Sequence, residues 1–96
     1  MTIGVIATIT IREGKNAEFE ELFMALTEQV LANEPGAVFY ALHRTKSDPQ
    51  VYKVLEQYAS QDALKAHGQT EYFLAASKKM GALVTAAPDI EVMDAV

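Results

Sequence analysis

The chain has 96 residues, half of them apolar, with a formal net charge of −5 and no cysteine. That length suits one domain spanning 1–96, and the missing thiols exclude disulfides, thiolate metal sites and cysteine nucleophiles. Eight scattered Lys and Arg, of which only Lys78 and Lys79 are adjacent, make no basic patch for nucleic acid.

The N-terminus has no basic start and alternates apolar with small polar residues, so 2–12 reads as a strand and not as a leader. Ile3, Val5, Ala7, Ile9 and Ile11 share one face. No apolar run is long enough to span a bilayer, and a soluble cytoplasmic protein is the expectation. Glu13-Gly14 closes the strand, and Lys15 or Asn16 starts a helix. Phe19, Leu22, Phe23, Leu26 and Val30 recur there at helical spacing, while Glu18, Glu20, Glu21 and Glu28 fall largely on other faces. Glu34-Pro35-Gly36 stops the helix, because proline cannot extend it and glycine permits the turn.

Residues 37–45 and 51–58 read as two further strands, joined into a hairpin by the turn chemistry of Lys46-Ser47-Asp48-Pro49-Gln50. Ser60 is placed to cap a short helix holding Ala63, Leu64 and His67, which Gly68 ends. Thr70 is placed to cap another, with Phe73, Ala76, Met80 and Leu83 on one stripe. Pro88 breaks the chain, and Ile90, Val92 and Met93 suggest a last strand. Met24, Met80 and Met93 read as core filler. The order is βαββαβ with the second helix split, which predicts an α+β fold of ferredoxin-like type with an antiparallel sheet.

Both helices of such a unit lie on one face of the sheet, so a monomer needs a polar second face. In the second strand Val38, Tyr40 and Leu42 are read on one face and Ala37, Phe39 and Ala41 on the other. In the third, Tyr52, Val54 and Tyr58 oppose Val51 and Leu55. Two apolar faces under one helical layer predict a second cover, most simply another copy in a homodimer.

His67 is the sharpest candidate for chemistry. It shares an inward helix face with Ala63 and Leu64 and stands at a helix break, and an imidazole suits acid–base work near neutral pH. The structural alternative is a buried histidine bonded to a backbone carbonyl. Glu56 shares a strand face with Tyr52, Val54 and Tyr58, so its carboxylate needs a partner. It either orients His67 or a substrate hydroxyl, or pairs with Arg44 or Lys53. Tyr40, Tyr58 and Tyr72 offer phenol groups to a pocket or fill the core. His43 and Arg44 read as solvent-facing. No metal is expected, since His43 and His67 lack ligand spacing. No glycine-rich phosphate loop, nucleophile elbow, flavin or nicotinamide signal is present, so no cofactor is expected.

Glu34-Pro35-Gly36, Tyr40, Val54-Leu55-Glu56-Gln57-Tyr58, Asp62-Ala63-Leu64-Lys65-Ala66-His67 and Thr70-Glu71-Tyr72-Phe73, in this order and spacing, resemble the antibiotic biosynthesis monooxygenase family. The resemblance covers nearly the whole chain. It implies a dimeric α+β barrel with a pocket between sheet and helices in each subunit. It also implies oxidation of quinols or phenols by molecular oxygen without metal or organic cofactor, with His67 as proton acceptor and Glu56 as its orienter. Many relatives carry tryptophan where Tyr58 stands. The haem-degrading branch needs asparagine, tryptophan and an axial histidine at positions that here hold Ala7, His67 and Ser77, which argues against haem degradation. The family also holds an isomerase of a phosphorylated sugar and members without demonstrated activity. A small-molecule isomerase or a non-catalytic binding dimer is therefore the alternative. Paired basic side chains in the pocket would favour a phosphorylated ligand, and an apolar pocket with tyrosines an aromatic one.

Overall fold

The computed structural model describes the whole chain, Met1–Val96. Its elements are β1 (Ile3–Thr10), α1 (Asn16–Asn33), β2 (Ala37–Arg44), β3 (Val51–Tyr58), α2 (Gln61–His67), α3 (Glu71–Met80) and β4 (Asp89–Asp94). The four strands form one antiparallel sheet in the order β2-β3-β1-β4. This is the α+β, ferredoxin-like arrangement with the second helix divided between α2 and α3. No helix is long and apolar enough to cross a membrane.

Period-two patterning decides which way β1 faces. Ile3, Val5, Ala7 and Ile9 are all buried, and their neighbours are only partly covered. Opposite them in register stand Tyr52, Val54, Glu56 and Tyr58 of β3, which are also buried. From α1, Phe19, Phe23, Leu26 and Val30 close onto this face, and α3 adds Ala76 and Met80. Each large apolar side chain withdrawn from water here contributes about 1.5–3 kcal/mol. Aromatic rings carry much of the packing. Phe23 stacks on Tyr40 with centroids 5.4 Å apart, and Phe19 meets Tyr52 at 4.8 Å.

Three details depart from the sequence expectation. The pairing of β2 with β3 shifts between Ala37 and Phe39, so Val38 bulges out and Ala37, opposite Tyr58, packs on the helix side. An extra residue in a strand reverses the alternation before it, and no local residue pattern signals that here. Met24 is exposed and not core filler, whereas Met80 is buried. Leu83 is buried beyond the end of α3, in the turn that leads to Val84 and its bridge to Ile11.

Two turns need glycine. Gly14 sits at φ +86° between β1 and α1, a backbone region that residues with a Cβ rarely adopt. Gly36 is required by proximity: a Cβ there would lie 2.6 Å from the Cβ of Ala63. The start of β2 and the first turn of α2 therefore touch backbone to side chain, and this contact sets where α2 lies.

Gly36→Ala should lower stability by about 1–3 kcal/mol through overpacking. Ala63→Gly should by itself cost about 1 kcal/mol of helix propensity. In the double variant part of the Gly36→Ala loss should return. Urea unfolding of the four proteins measures this coupling, and strictly additive losses would show that the two positions do not press on each other.

Candidate functional site

The break between α2 and α3 follows from capping. Ser60 accepts from the backbone N–H of Ala63 at 3.1 Å and starts α2, which ends at His67 and Gly68. The Thr70 hydroxyl accepts from the N–H of Phe73 at 3.3 Å to start α3, and donates to the carbonyl of His67 at 3.0 Å. His67 is thus the last residue of one helix, tied through its carbonyl to the cap of the next. Its side chain is only 4% exposed.

The ring is held at Nδ1 and packed among aromatic rings. Nδ1 lies 3.0 and 3.1 Å from the two carboxylate oxygens of Glu34, the residue that ends α1. The Tyr72 hydroxyl, from the first turn of α3, donates to the same carboxylate. Tyr40, Tyr58 and Phe73 surround the imidazole with centroid distances of 5.2, 5.3 and 4.6 Å. His67 Nε2 has no partner, and no other buried side-chain nitrogen or oxygen in the chain is left in that condition. Buried polar atoms are normally paired, because an unpaired one costs about 1–3 kcal/mol.

His67 lines a cavity of about 240 Å³ between the sheet and α2 and α3. Its walls are mostly apolar and include Val5, Ala7, Tyr40, Val54, Phe73 and Ile90; the titratable side chains are Tyr40, Glu56 and His67, with no Lys or Arg. Phe73, Ser77, Met80, Pro88 and Ile90 also border an outer hollow of about 640 Å³, which Arg12 lines as its one charged residue. The two spaces adjoin along β4, whose Ile90 and Val92 lie on the helix side yet stay about half exposed.

The residues singled out from the sequence fall into three places. His67, Glu56 and Tyr40 line the cavity together. Tyr58 is fully buried behind it, and its hydroxyl donates to Glu56 Oε1 at 2.6 Å. Tyr72 lies outside, against Glu34, where the two border a separate surface hollow. The carboxylate on His67 is therefore that of Glu34, while Glu56 takes its hydrogen bond from Tyr58. Arg44, considered as a partner for Glu56, instead meets Glu20 at 3.4 Å on the surface. Glu34 is the neighbour of His67 that the sequence expectation missed. It reads as part of a helix stop, and the only hint is an acidic residue directly before Pro-Gly. Ala7, His67 and Ser77, the positions that differ from the haem-degrading branch, all line the one cavity. Nowhere do three or more His, Asp or Glu side chains come together as metal ligands would.

Burial shifts the acids and phenols of the site in one direction. Desolvation pushes the Glu56 carboxyl up to about 7, helped by the nearby Glu34 charge and opposed by the hydrogen bond from Tyr58. Tyr40 and Tyr58 are raised well above an ordinary phenol, first by burial and then by the Glu56 charge. Tyr72 is pushed up to about 12 by desolvation and by its bond to Glu34. The site is one in which new negative charge is costly, and Glu56 gives up its proton only around neutrality.

A carboxyl with a raised pKa binds its proton more tightly folded than unfolded. Its contribution is full below about 4.5 and is lost as pH rises to about 7. The wild-type chain should therefore lose about 3 kcal/mol across that window relative to Glu56→Gln, whose amide oxygen still accepts from Tyr58. Denaturant unfolding at a series of pH values reads this difference, and parallel curves for the two proteins would refute it.

The sequence profile of the antibiotic biosynthesis monooxygenase family matches residues 2–79. No curated protein matches the sequence. Among solved structures, a candidate antibiotic biosynthesis monooxygenase from Caulobacter crescentus is 54% identical, with a TM-score of 0.96 over 99% of this chain and 90% of that one. A protein from Pseudomonas aeruginosa is 29% identical with a TM-score of 0.88, covering 99% of this chain and 94% of that one. A further candidate monooxygenase of this type, from Nitrosomonas europaea, shares the fold at a TM-score of 0.95 with 18% identity, over 99% of this chain and 90% of that one. With most of its length matched by the family profile, and a close relative over nearly all of it, the chain belongs to the antibiotic biosynthesis monooxygenase family.

Proposed function

We propose that the protein is a cofactor-independent monooxygenase that oxidises a small quinol- or phenol-like aromatic with molecular oxygen, and that it works as a homodimer. The observation that carries this reading is the unpartnered Nε2 of His67 on a residue that lines a largely apolar cavity. A buried nitrogen without a partner is a place for a ligand's polar atom, and apolar walls suit an aromatic ring. The absence of Lys and Arg from the inner cavity weighs against a phosphorylated substrate, and the open volume weighs against a purely structural role.

The chemistry needs little from the protein. His67 Nε2 accepts the hydroxyl proton of a bound quinol, and the resulting electron-rich anion gives an electron to oxygen. One oxygen atom ends on a ring carbon and the other leaves as water, so a quinol and O₂ become a hydroxyquinone and water. The electrons come from the substrate. The apolar walls keep bulk water from the reacting pair, and Tyr40 is placed to contact the ring. Below about pH 7 Glu56 keeps its proton and can donate a hydrogen bond within the same cavity.

The second copy is proposed for the face of the sheet that the helices leave open. Only 18 of the 96 residues are buried within one chain. The open face carries Phe39 and Ala41 of β2, Leu55 of β3, Ile6 of β1 and Met93 of β4, read from the strand registers. His43 and Lys53 lie toward its β2 edge, and Asp89 and Glu91 toward its β4 edge. A two-fold axis along the strands lays the β2 edge of one copy over the β4 edge of the other. Apolar side chains of the two faces then meet, and Lys53 and His43 of one copy come over Asp89 of the other.

With a quinol that consumes oxygen in hand, His67→Ala should lower turnover by about two to four orders of magnitude. Uptake at the wild-type rate would remove the catalytic assignment. For the assembly, sedimentation should give twice the chain mass, and Leu55→Asp should yield monomers because it buries an unpaired charge. A wild-type chain that sediments as a monomer would remove the dimer.

A further inference from the structure

We infer that Glu34 is a positioning residue that holds His67 in its Nδ1–H tautomer, so that the cavity selects a ligand hydroxyl over the corresponding carbonyl. The inference deepens the reading of His67 as the proton acceptor and rests on His67 meeting the ligand.

An ionised carboxylate offers lone pairs only. Both oxygens of Glu34 approach Nδ1 almost equally, at 3.0 and 3.1 Å, an arrangement that fits one shared N–H donor. The Tyr72 hydroxyl donates into the same carboxylate, so its proton-accepting role is set from a second side. In a neutral ring a proton on Nδ1 leaves a lone pair on Nε2. A proton on Nε2 instead would put a bare donor among Tyr40, Tyr58 and Phe73 and leave Nδ1 facing two oxygens, lone pair against lone pair. The geometry therefore points to an acceptor at Nε2. An O–H group satisfies that acceptor, while a carbonyl oxygen adds a second set of lone pairs. A site built around one buried hydrogen bond rejects the analogue that cannot make it.

This makes the cavity a reader of oxidation state. At the oxygen that meets Nε2 a quinol or phenol presents an O–H, and the product of its oxidation presents a carbonyl. At that position the tautomer that favours substrate binding disfavours the product. Glu34 touches neither molecule; it acts through the ring 33 residues away in sequence.

The test uses the whole 96-residue chain and needs no turnover. The chain has two histidines, so nitrogen NMR of the imidazole rings, assigned with His43→Gln, reads the tautomer of His67 directly at mildly alkaline pH. Wild type should show a pyrrole-type Nδ1 and a pyridine-type Nε2. In Glu34→Gln the amide can donate as well as accept, and the ring should become a mixture or reverse. Tyr72→Phe should move it less. Calorimetric titration with alpha-naphthol and with alpha-tetralone, a ketone of nearly the same shape, reads the selectivity. Wild type should prefer the naphthol by about tenfold or more, and Glu34→Gln should lose that preference. A pyrrole-type Nε2 in wild type, an unchanged tautomer in Glu34→Gln, or equal binding of the two ligands by wild type overturns the proposal. If Glu34→Gln fails to fold, the wild-type spectrum and Tyr72→Phe decide the tautomer. A chain that takes up no oxygen but keeps this tautomer and preference would sink the catalytic reading and leave this one standing.

Discussion

One carboxylate joins three helices. Glu34 ends α1 through its own N–H, which donates to the carbonyl of Val30, and its carbonyl accepts from Ala37 as β2 begins. Its side chain then holds His67 at the end of α2 and Tyr72 in the first turn of α3. The three helices have few other polar links to one another, and the short α2 would be marginal as an isolated helix. A charge-assisted bond to a nearly buried ring is stronger than a neutral one and tolerates little displacement. The cavity owes its shape to this: with His67 held back against Glu34, space remains between α2, α3 and the sheet.

The opposite end of the sheet repeats the device in a structural role. The Tyr52 hydroxyl donates to Glu20 and accepts from Asn16 at 3.0 Å, and Gln50 joins Asn16 to the end of β1. There no buried side-chain polar atom is left without a protein partner. Around His67 one nitrogen is left over. The two corners differ by a single unsatisfied atom beside open volume.

Much of this was legible in the sequence. The alternation in β1, the helical spacing of Phe19, Phe23, Leu26 and Val30, and the caps at Ser60 and Thr70 are local signals, and local physics made the elements they announce. His67 stood out for the same reason: its spacing from Ala63 and Leu64 and its place at a helix end are written within a few residues. What escaped is long-range or register-dependent. Nothing near Glu34 says that its carboxylate will meet a ring 33 residues on, and its Pro-Gly neighbours announce only a stop. Glu56 was given the orienting role because strand alternation turns it inward; alternation cannot show that Tyr58, two residues along the same strand, donates its hydroxyl to that carboxyl. The bulge at Val38 exchanges the faces of Ala37 and its neighbours without any signature in composition.

The link Glu34-Pro35-Gly36 also bears on how such chains can diverge in length. The exposed tip of the β2–β3 hairpin, at Lys46 and Ser47, touches neither the carboxylate nor the ring. Lengthening it costs mainly loop entropy, about 0.6 kcal/mol for each doubling. One residue added between Glu34 and Gly36 is a different matter. It would separate the carboxylate from His67, or slip β2 by one position and turn Tyr40 away from the core. Insertions and deletions are thus tolerable at one end of β2 and forbidden at the other, and the boundary between drift and constraint runs through a single strand.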